Sequence, residues 1–288
     1  MLSRTEYALL DSHCHLDIAI AAGHDFEQML QTAHQAGVEQ ILQIATNYRS
    51  SCWNRDLAAR TLYAERESAI EIYWTAGLHP EAVAEENDLQ TIFAIARNHR
   101  DAPTFWGLGE TGLDYFHTTD TIAHQKKSLT AHLEIARELG LPIVLHTRDD
   151  RSYHPDRTAS VQDAFDICKR YPEVKGVLHC FTYTAKEALP FVRELGWFVS
   201  YSGVLTFKSA RPVQAGACAL PLENLLVETD APYLAPVPWR GLPNQPAYVR
   251  STAEFLVNLR VEACQEDPDQ VWSQLTQNQE RFLRLKAS

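Results

Sequence analysis

The 288-residue chain has no surplus of basic charge, no cysteines spaced as C-x-x-C and no apolar run of membrane-spanning length. Each absence removes a class of protein. Lys and Arg total 26 against 37 Asp and Glu, a formal net charge of −11. A broad surface wrapped by nucleic acid depends on cations that neutralise phosphates, so that class is excluded; a local grip on a strand end is not. The six cysteines stand singly at positions 14, 52, 168, 180, 218 and 264. That spacing supports neither a zinc finger nor a thioredoxin motif, and suits buried thiols in a reducing compartment. No stretch reaches the ~18 apolar residues of a membrane helix, and no basic segment with an apolar core opens the chain. A cytoplasmic enzyme without membrane contact is expected. No low-complexity linker or internal repeat divides the sequence, so a single domain over 1–288, as a monomer, is expected.

Hydrophobic residues make up 45% of the chain, enough for a large core. Apolar runs of strand length fall near 8–13, 38–45, 70–77, 104–109, 142–147, 174–180, 197–202 and 224–229. Helical periodicity falls near 25–36, 51–67, 88–99, 122–139, 160–170, 185–195, 209–217 and 247–260. The clearest helix carries the stripe Leu129, Leu133, Ala136 and Leu139, with Gly140 as its stop and Pro142 just beyond. Eight strand–helix alternations predict an α/β fold, either a closed barrel or a doubly wound sheet.

Polar residues end almost every apolar strand. The ends read Asp11-Ser12-His13-Cys14-His15, Gly77-Leu78-His79-Pro80, Gly109-Glu110-Thr111-Gly112-Leu113-Asp114, His146-Thr147-Arg148, His179-Cys180-Phe181 and Glu228-Thr229-Asp230. Alternate side chains of a strand share a face, so His13 and His15 point one way and Cys14 the other. In a (β/α)8 TIM barrel the active site forms at the C-terminal strand ends. His13, His15, Glu110, His146, His179 and Asp230 would converge there, and imidazole with carboxylate suits zinc, manganese, iron or similar ions.

At these residues the sequence resembles the TatD family of metal-dependent deoxyribonucleases, in the amidohydrolase superfamily. The matching stretches include 11–17, Gly107–Tyr115, Leu145–Arg148, Leu178–Phe181, Tyr201–Lys208, Glu228–Leu234, Pro238–Gly241 and Asn244. The resemblance implies a (β/α)8 barrel with two divalent ions, magnesium, manganese or zinc. One ion is assigned to His13, His15, Glu110 and Asp230, the other to Glu110, His146 and His179, with Glu110 bridging. It implies removal of nucleotides from DNA ends, mainly 3′ to 5′. Three departures bear on the substrate: Glu81 where a second histidine is common, Thr111 where isoleucine is common between Gly-Glu and Gly, and a long loop from Asp149 to about Ser160 with Tyr153, His154 and Arg157.

The expected reaction is two-metal phosphodiester hydrolysis, with Asp230 as general base. His79 either hydrogen-bonds the scissile phosphate or packs beside Pro80. Arg148 either grips a phosphate oxygen or pairs with a nearby carboxylate. Glu228 and Asp114 either orient ligands or serve a surface ion pair and a loop. Local DNA contact falls to Tyr115, Tyr233, Lys208 and Arg240, with Phe116, Phe207, Trp239 and Arg211 nearby. The same ligands also suit an ester or amide hydrolase, for example on aminoacyl-tRNA. A scaffold that had lost catalysis is expected to lack a ligand, and none is missing.

Overall fold

The computed structural model describes residues 7–61, 70–82, 86–117, 119–150 and 158–286. Eight parallel strands run in chain order around one sheet: β1 (Leu9–Cys14), β2 (Val38–Gln43), β3 (Glu71–Ala76), β4 (Phe105–Tyr115), β5 (Ile143–Asp149), β6 (Gly176–Leu178), β7 (Phe198–Tyr201) and β8 (Leu225–Val227). Helices alternate with them: α1 (Leu16–Ala21), α2 (Phe26–Gln35), α3 (Tyr48–Thr61), α4 (Glu86–His99), α5 (Ile122–Leu139), α6 (Ala159–Cys168), α7 (Ala185–Pro190), α8 (Arg211–Ala219), α9 (Val249–Cys264) and α10 (Pro268–Leu283). This is the expected (β/α)8 barrel. The loop residues Tyr153, His154 and Arg157, and the far end of the helix expected over 51–67, lie outside the described residues.

Two apolar clusters explain the shape. Leu10, Leu42, Ile44, Trp106, Val144, Val177, Phe198 and Leu226, with Tyr73 at the edge, draw on all eight strands and fill the barrel interior. The other cluster joins the outer strand faces to the helices. Two helices, α1 and α10, were missed from the sequence pattern. α1 spans only six residues. α10 follows the last strand, yet its signals are ordinary: Asp267 caps it, Pro268 opens it, and Val271, Leu275 and Phe282 form a buried stripe. Phe282 closes the floor of the barrel against Trp106, whose indole N–H donates to the Phe282 carbonyl at 3.0 Å.

β1 and β8 meet at a seam made mostly by side chains. One backbone bridge pairs Cys14 with Ala231. Asp11 accepts from the Thr229 N–H at 2.8 Å and its hydroxyl at 2.5 Å. The Ser12 hydroxyl donates to the Val227 carbonyl at 2.9 Å. These bonds explain why two polar residues sit fully buried in a central strand.

Candidate metal centre

The polar side chains rise directly from the interior apolar layer. On β5, Val144 lines the interior and His146 stands two residues later; on β6 Val177 lines it and His179 follows just past the strand; on β8 Leu226 lines it, and Glu228 and Asp230 follow beyond the strand end. β1 breaks the alternation. Leu10 is interior, but His13 and His15 face the same centre, three and five residues on. A register irregularity between Asp11 and Cys14 supplies the change of parity. Cys14 packs outward, as its place between the histidines requires.

Glu110 sits where β4 is most irregular. Gly109 and Gly112 flank it at φ +140° and +153°. A Cβ on Gly112 would lie 1.9 Å from the His146 carbonyl, so β4 approaches β5 as only glycine allows. The Glu110 N–H crosses to the Ala45 carbonyl at 2.7 Å. These constraints aim the carboxylate at the barrel axis, where it is 3% exposed.

Its two oxygens face different partners. Oε2 lies 3.7 Å from His13 Nε2 and 3.8 Å from His15 Nε2. Oε1 lies 2.7 Å from His146 Nδ1 and 2.6 Å from His179 Nε2. Asp230 Oδ1 completes the first group, at 3.6 Å from His13 and 3.5 Å from His15. A backbone turn at φ +58° and an N–H bond to the His13 carbonyl hold Asp230 there. All six predicted ligands therefore converge.

The outward ring nitrogens test whether this set fits a cation. His15 Nδ1 faces the Ile44 carbonyl at 3.4 Å, His146 Nε2 faces Asp114 at 3.2 Å, and His179 Nδ1 faces Glu228 at 3.5 Å. An acceptor behind each of these three rings keeps the proton outside and the inner lone pair free, while the buried Nδ1 of His13 has no hydrogen-bond partner among the described residues. The inner nitrogens of His13 and His15 then approach to 3.1 Å, as do those of His146 and His179. Ligands ~2.1 Å from a zinc-sized ion sit at comparable spacings, so the donor set fits divalent metal.

The field at the centre also favours positive charge. Burial pushes His179 down, yet Glu110 and Glu228 raise it well above its ordinary value. Burial opposes ionisation of Glu110, but His179, His79 and His146 hold its carboxyl well below the usual range. Burial depresses His13, assisted by neighbouring His179. Burial also raises Glu228, which is fully buried and accepts from the Cys180 N–H at 2.6 Å. That resolves Glu228 as a buried support for His179. Asp114 does both of its expected jobs, meeting His146 and accepting from the Phe116 and His117 N–H groups at 2.8 and 2.9 Å.

Above the ligands opens a cavity of about 630 Å³, lined in part by Ile18, Thr46, Asn47, His79, Glu81, Arg148, Tyr233 and Leu234. Burial lowers His79 to about 3, so its ring is neutral. His79 Nδ1 accepts from the Glu81 N–H at 3.2 Å, which leaves its remaining proton on Nε2, the atom facing Glu110 at 3.6 Å. Among the described residues Arg148 has no ion-pair partner; its guanidinium lies 4.2 Å from the centre of the Phe116 ring. Lys208 and Arg240 stand outside the cavity, Arg240 at 3.6 Å over Phe207. Tyr115 corrects an expectation. β4 continues through it, its ring is 3% exposed, and its hydroxyl donates to Asp163 at 2.7 Å, so it packs behind the site and offers no face to substrate.

Sequence reasoning missed four contributors. Thr46 and Asn47 follow β2 and line the cavity; polar residues after an apolar run were the available signal. Asp11 ties the seam beneath His13. His132 on α5 is fully buried, and its Nε2 accepts from the Leu78 N–H at 3.3 Å, beside His79.

A family model described as TatD related DNase matches residues 10–284. The Escherichia coli K12 protein YcfH, described as an uncharacterized metal-dependent hydrolase, is 37% identical over 260 residues, covering 90% of each chain. The Mycobacterium tuberculosis protein TatD, described in the same terms, is 33% identical over 268 residues, covering 88% of this chain and 92% of its own. Among solved structures, YjjV, a TatD homolog from Escherichia coli K12, superposes with a TM-score of 0.80 at 28% identity, over 95% of this chain and 97% of its own. The phosphotriesterase homology protein of Escherichia coli, solved with phosphate in its active site, shares the fold at a TM-score of 0.62 and 17% identity, over 98% and 100% of the two chains. With its ligand set complete and its length matched almost throughout, the chain belongs to the TatD family and is a metal-dependent hydrolase.

Proposed function

We propose that this hydrolase is a deoxyribonuclease that uses two divalent ions to remove nucleotides from single-stranded 3′ ends. The observation that carries the reading is Glu110, with one oxygen toward His13, His15 and Asp230 and the other toward His146 and His179. A glutamate shared between two histidine groups, with the free guanidinium of Arg148 on the cavity wall, suits an anionic phosphodiester. Bound divalent ions supply charge stabilisation at the phosphoryl oxygens and a water of lowered pKa.

The chain's own residues do the rest. Arg148 grips a non-bridging oxygen, with its orientation held by Phe116. The neutral His79 ring donates its Nε2 proton to the same phosphate. Asp230 takes a proton from the attacking water while its oxygen adds to phosphorus, and the ester bond to the departing oxygen breaks. That oxygen leaves with a proton from solvent. DNA contact is local, at the mouth, with Tyr233 on the cavity wall and Lys208 and Arg240 beyond it.

Cleavage of an end-labelled single-stranded oligonucleotide by metal-stripped protein tests this reading, with magnesium, manganese or zinc restored. A metal-dependent ladder that His13→Ala and Glu110→Ala abolish supports it, and the label shows which end is attacked. Folded, metal-loaded protein that leaves DNA intact overturns the nuclease assignment and directs attention to carboxylic esters and amides.

A further inference from the structure

A second group of metal-ligating side chains stands on the cavity wall, outside the six ligands. Glu81 lies in the single turn Pro80–Ala82 that follows His79. Asp114 is in the last turn of β4 residues, and His117 follows two residues beyond the strand. One donor atom from each, two carboxylate oxygens and an imidazole nitrogen, lies within 4.8 Å of the others. His117 Nδ1 is 2.8 Å from Asp114 Oδ2 and 3.5 Å from Glu81 Oε1. Donors that share one ion at ~2.1 Å stand at such spacings. All three residues line the cavity. Asp114 divides its oxygens: Oδ1 accepts from the Phe116 and His117 N–H groups, which fixes the carboxylate, and Oδ2 turns to the rings of His117 and His146. Glu81 is tied to its neighbour, since its N–H donates to His79 Nδ1. The Asp114 side chain is fully buried, while those of Glu81 and His117 are 47% and 36% exposed, so the group is fixed at its inner end and open to exchange at its outer one. It also lacks a cation. Among the described residues every ion-pair partner of Glu81 and Asp114 is a histidine, and none is Lys or Arg. A divalent ion relieves two converging carboxylates directly.

We propose that Glu81, Asp114 and His117 hold a further divalent cation on the cavity wall, separate from the metal held by the central ligand set. Mixed carboxylate and imidazole donors suit manganese or zinc. Three protein donors leave coordination positions for water or for an oxygen of a bound substrate. Two of the three ligands are half-exposed, which makes this the weaker and more exchangeable site. Asp114 links it to the centre, because Oδ2 also meets His146 Nε2 at 3.2 Å, and His146 Nδ1 faces Glu110. The site requires no particular substrate, so it does not depend on the nuclease reading.

The test titrates metal-stripped protein with manganese in the absence of substrate, reading free ion by its electron paramagnetic resonance signal. The double variant Glu81→Ala with His117→Ala removes the two outer donors and keeps Asp114, the support of His146. Parent should take up one equivalent more than this variant, in its weakest-binding phase, while the affinities of the tighter equivalents agree within about twofold. Glu81→Gln keeps the side chain's shape and removes its charge; it should weaken that last phase by at least the ~10-fold that loss of even a supporting partner costs. Crystals of parent soaked in manganese should show an anomalous peak among Glu81 Oε1, Asp114 Oδ2 and His117 Nδ1. Equal stoichiometry in parent and double variant, or no peak among these atoms, overturns the site. A folded double variant that loses the tighter equivalents as well overturns its separateness from the centre. The count is read without DNA, so protein that takes up the extra ion yet leaves DNA intact upholds this site and overturns only the nuclease assignment.

Discussion

Glu228 touches no substrate, and its influence on the reaction runs through His179. Removing the acceptor behind a metal-binding imidazole typically costs ~10–100-fold in metal affinity. Glu228→Ala should lower zinc affinity by that order in competition with a chelator, and Glu228→Gln should recover part of it. An affinity that the alanine variant leaves unchanged would remove Glu228 from the centre. Asp230→Asn should abolish hydrolysis while the unfolding midpoint holds; activity within about tenfold of parent, against the ~10²–10⁴ a positioned base contributes, excludes Asp230 as the base. His132 links the fold to acid. Burial lowers it from 6.5 to about 4. An unfolded chain takes up that proton as pH falls through 6.5, while the folded chain refuses it until about 4. Stability is therefore lost on acidification across this window. The unfolding midpoint of His132→Gln should fall less steeply there than the parent's; parallel curves would acquit His132. The six ligands were legible in the sequence because each ends an apolar strand. Asp11 and His132 were not, since a single polar residue in an apolar pattern reads the same whether it is buried or exposed. Tyr115 was misplaced for a related reason. Its strand continues past the apolar run, and position alone does not say which way a ring turns.

At the scale of the element, β4 is the critical strand. It runs from Phe105 to Tyr115 and is buried at every position. The sequence showed only its first half, because Gly109, Glu110, Thr111 and Gly112 interrupt the apolar run that marks a buried strand. Those residues make the local approach to β5, where Gly112 pairs with His146. Gly112→Ala forces a methyl group against the His146 carbonyl at a backbone angle that side chains avoid. A cost of about 2–4 kcal/mol follows, a fall of roughly 5–10 °C in unfolding midpoint, with metal affinity lost alongside because Glu110 and His146 shift together. A stable variant with unchanged affinity would mean the two strands can separate here freely. α10 teaches the opposite lesson. Its cap, opening proline and stripe were all present in the sequence, and only its position after the last strand concealed its use.

For the molecule as a whole, stability and chemistry sit at opposite ends of the barrel. Phe282 closes the floor, fully buried against Trp106 and Phe198, while the ligands open at the mouth. Phe282→Ala should cost about 3–5 kcal/mol in urea unfolding and leave zinc affinity as it was. A coupled loss of affinity would show that the floor and the mouth are not independent. Eight alternations announced the barrel, but its closure rested on polar side chains whose partners lie more than two hundred residues apart in sequence, Asp11 with Thr229 and Ser12 with Val227. That seam has a further meaning during synthesis. His13 and His15 emerge from the ribosome early, while Asp230 emerges near the end, and the bonds from Asp230 to the His13 carbonyl and from His15 to the Ala231 carbonyl join them only when β8 arrives. A chain that ends before β8 carries five of the six ligands and lacks Asp230. Metal capture through all six side chains therefore waits until translation has passed the last strand.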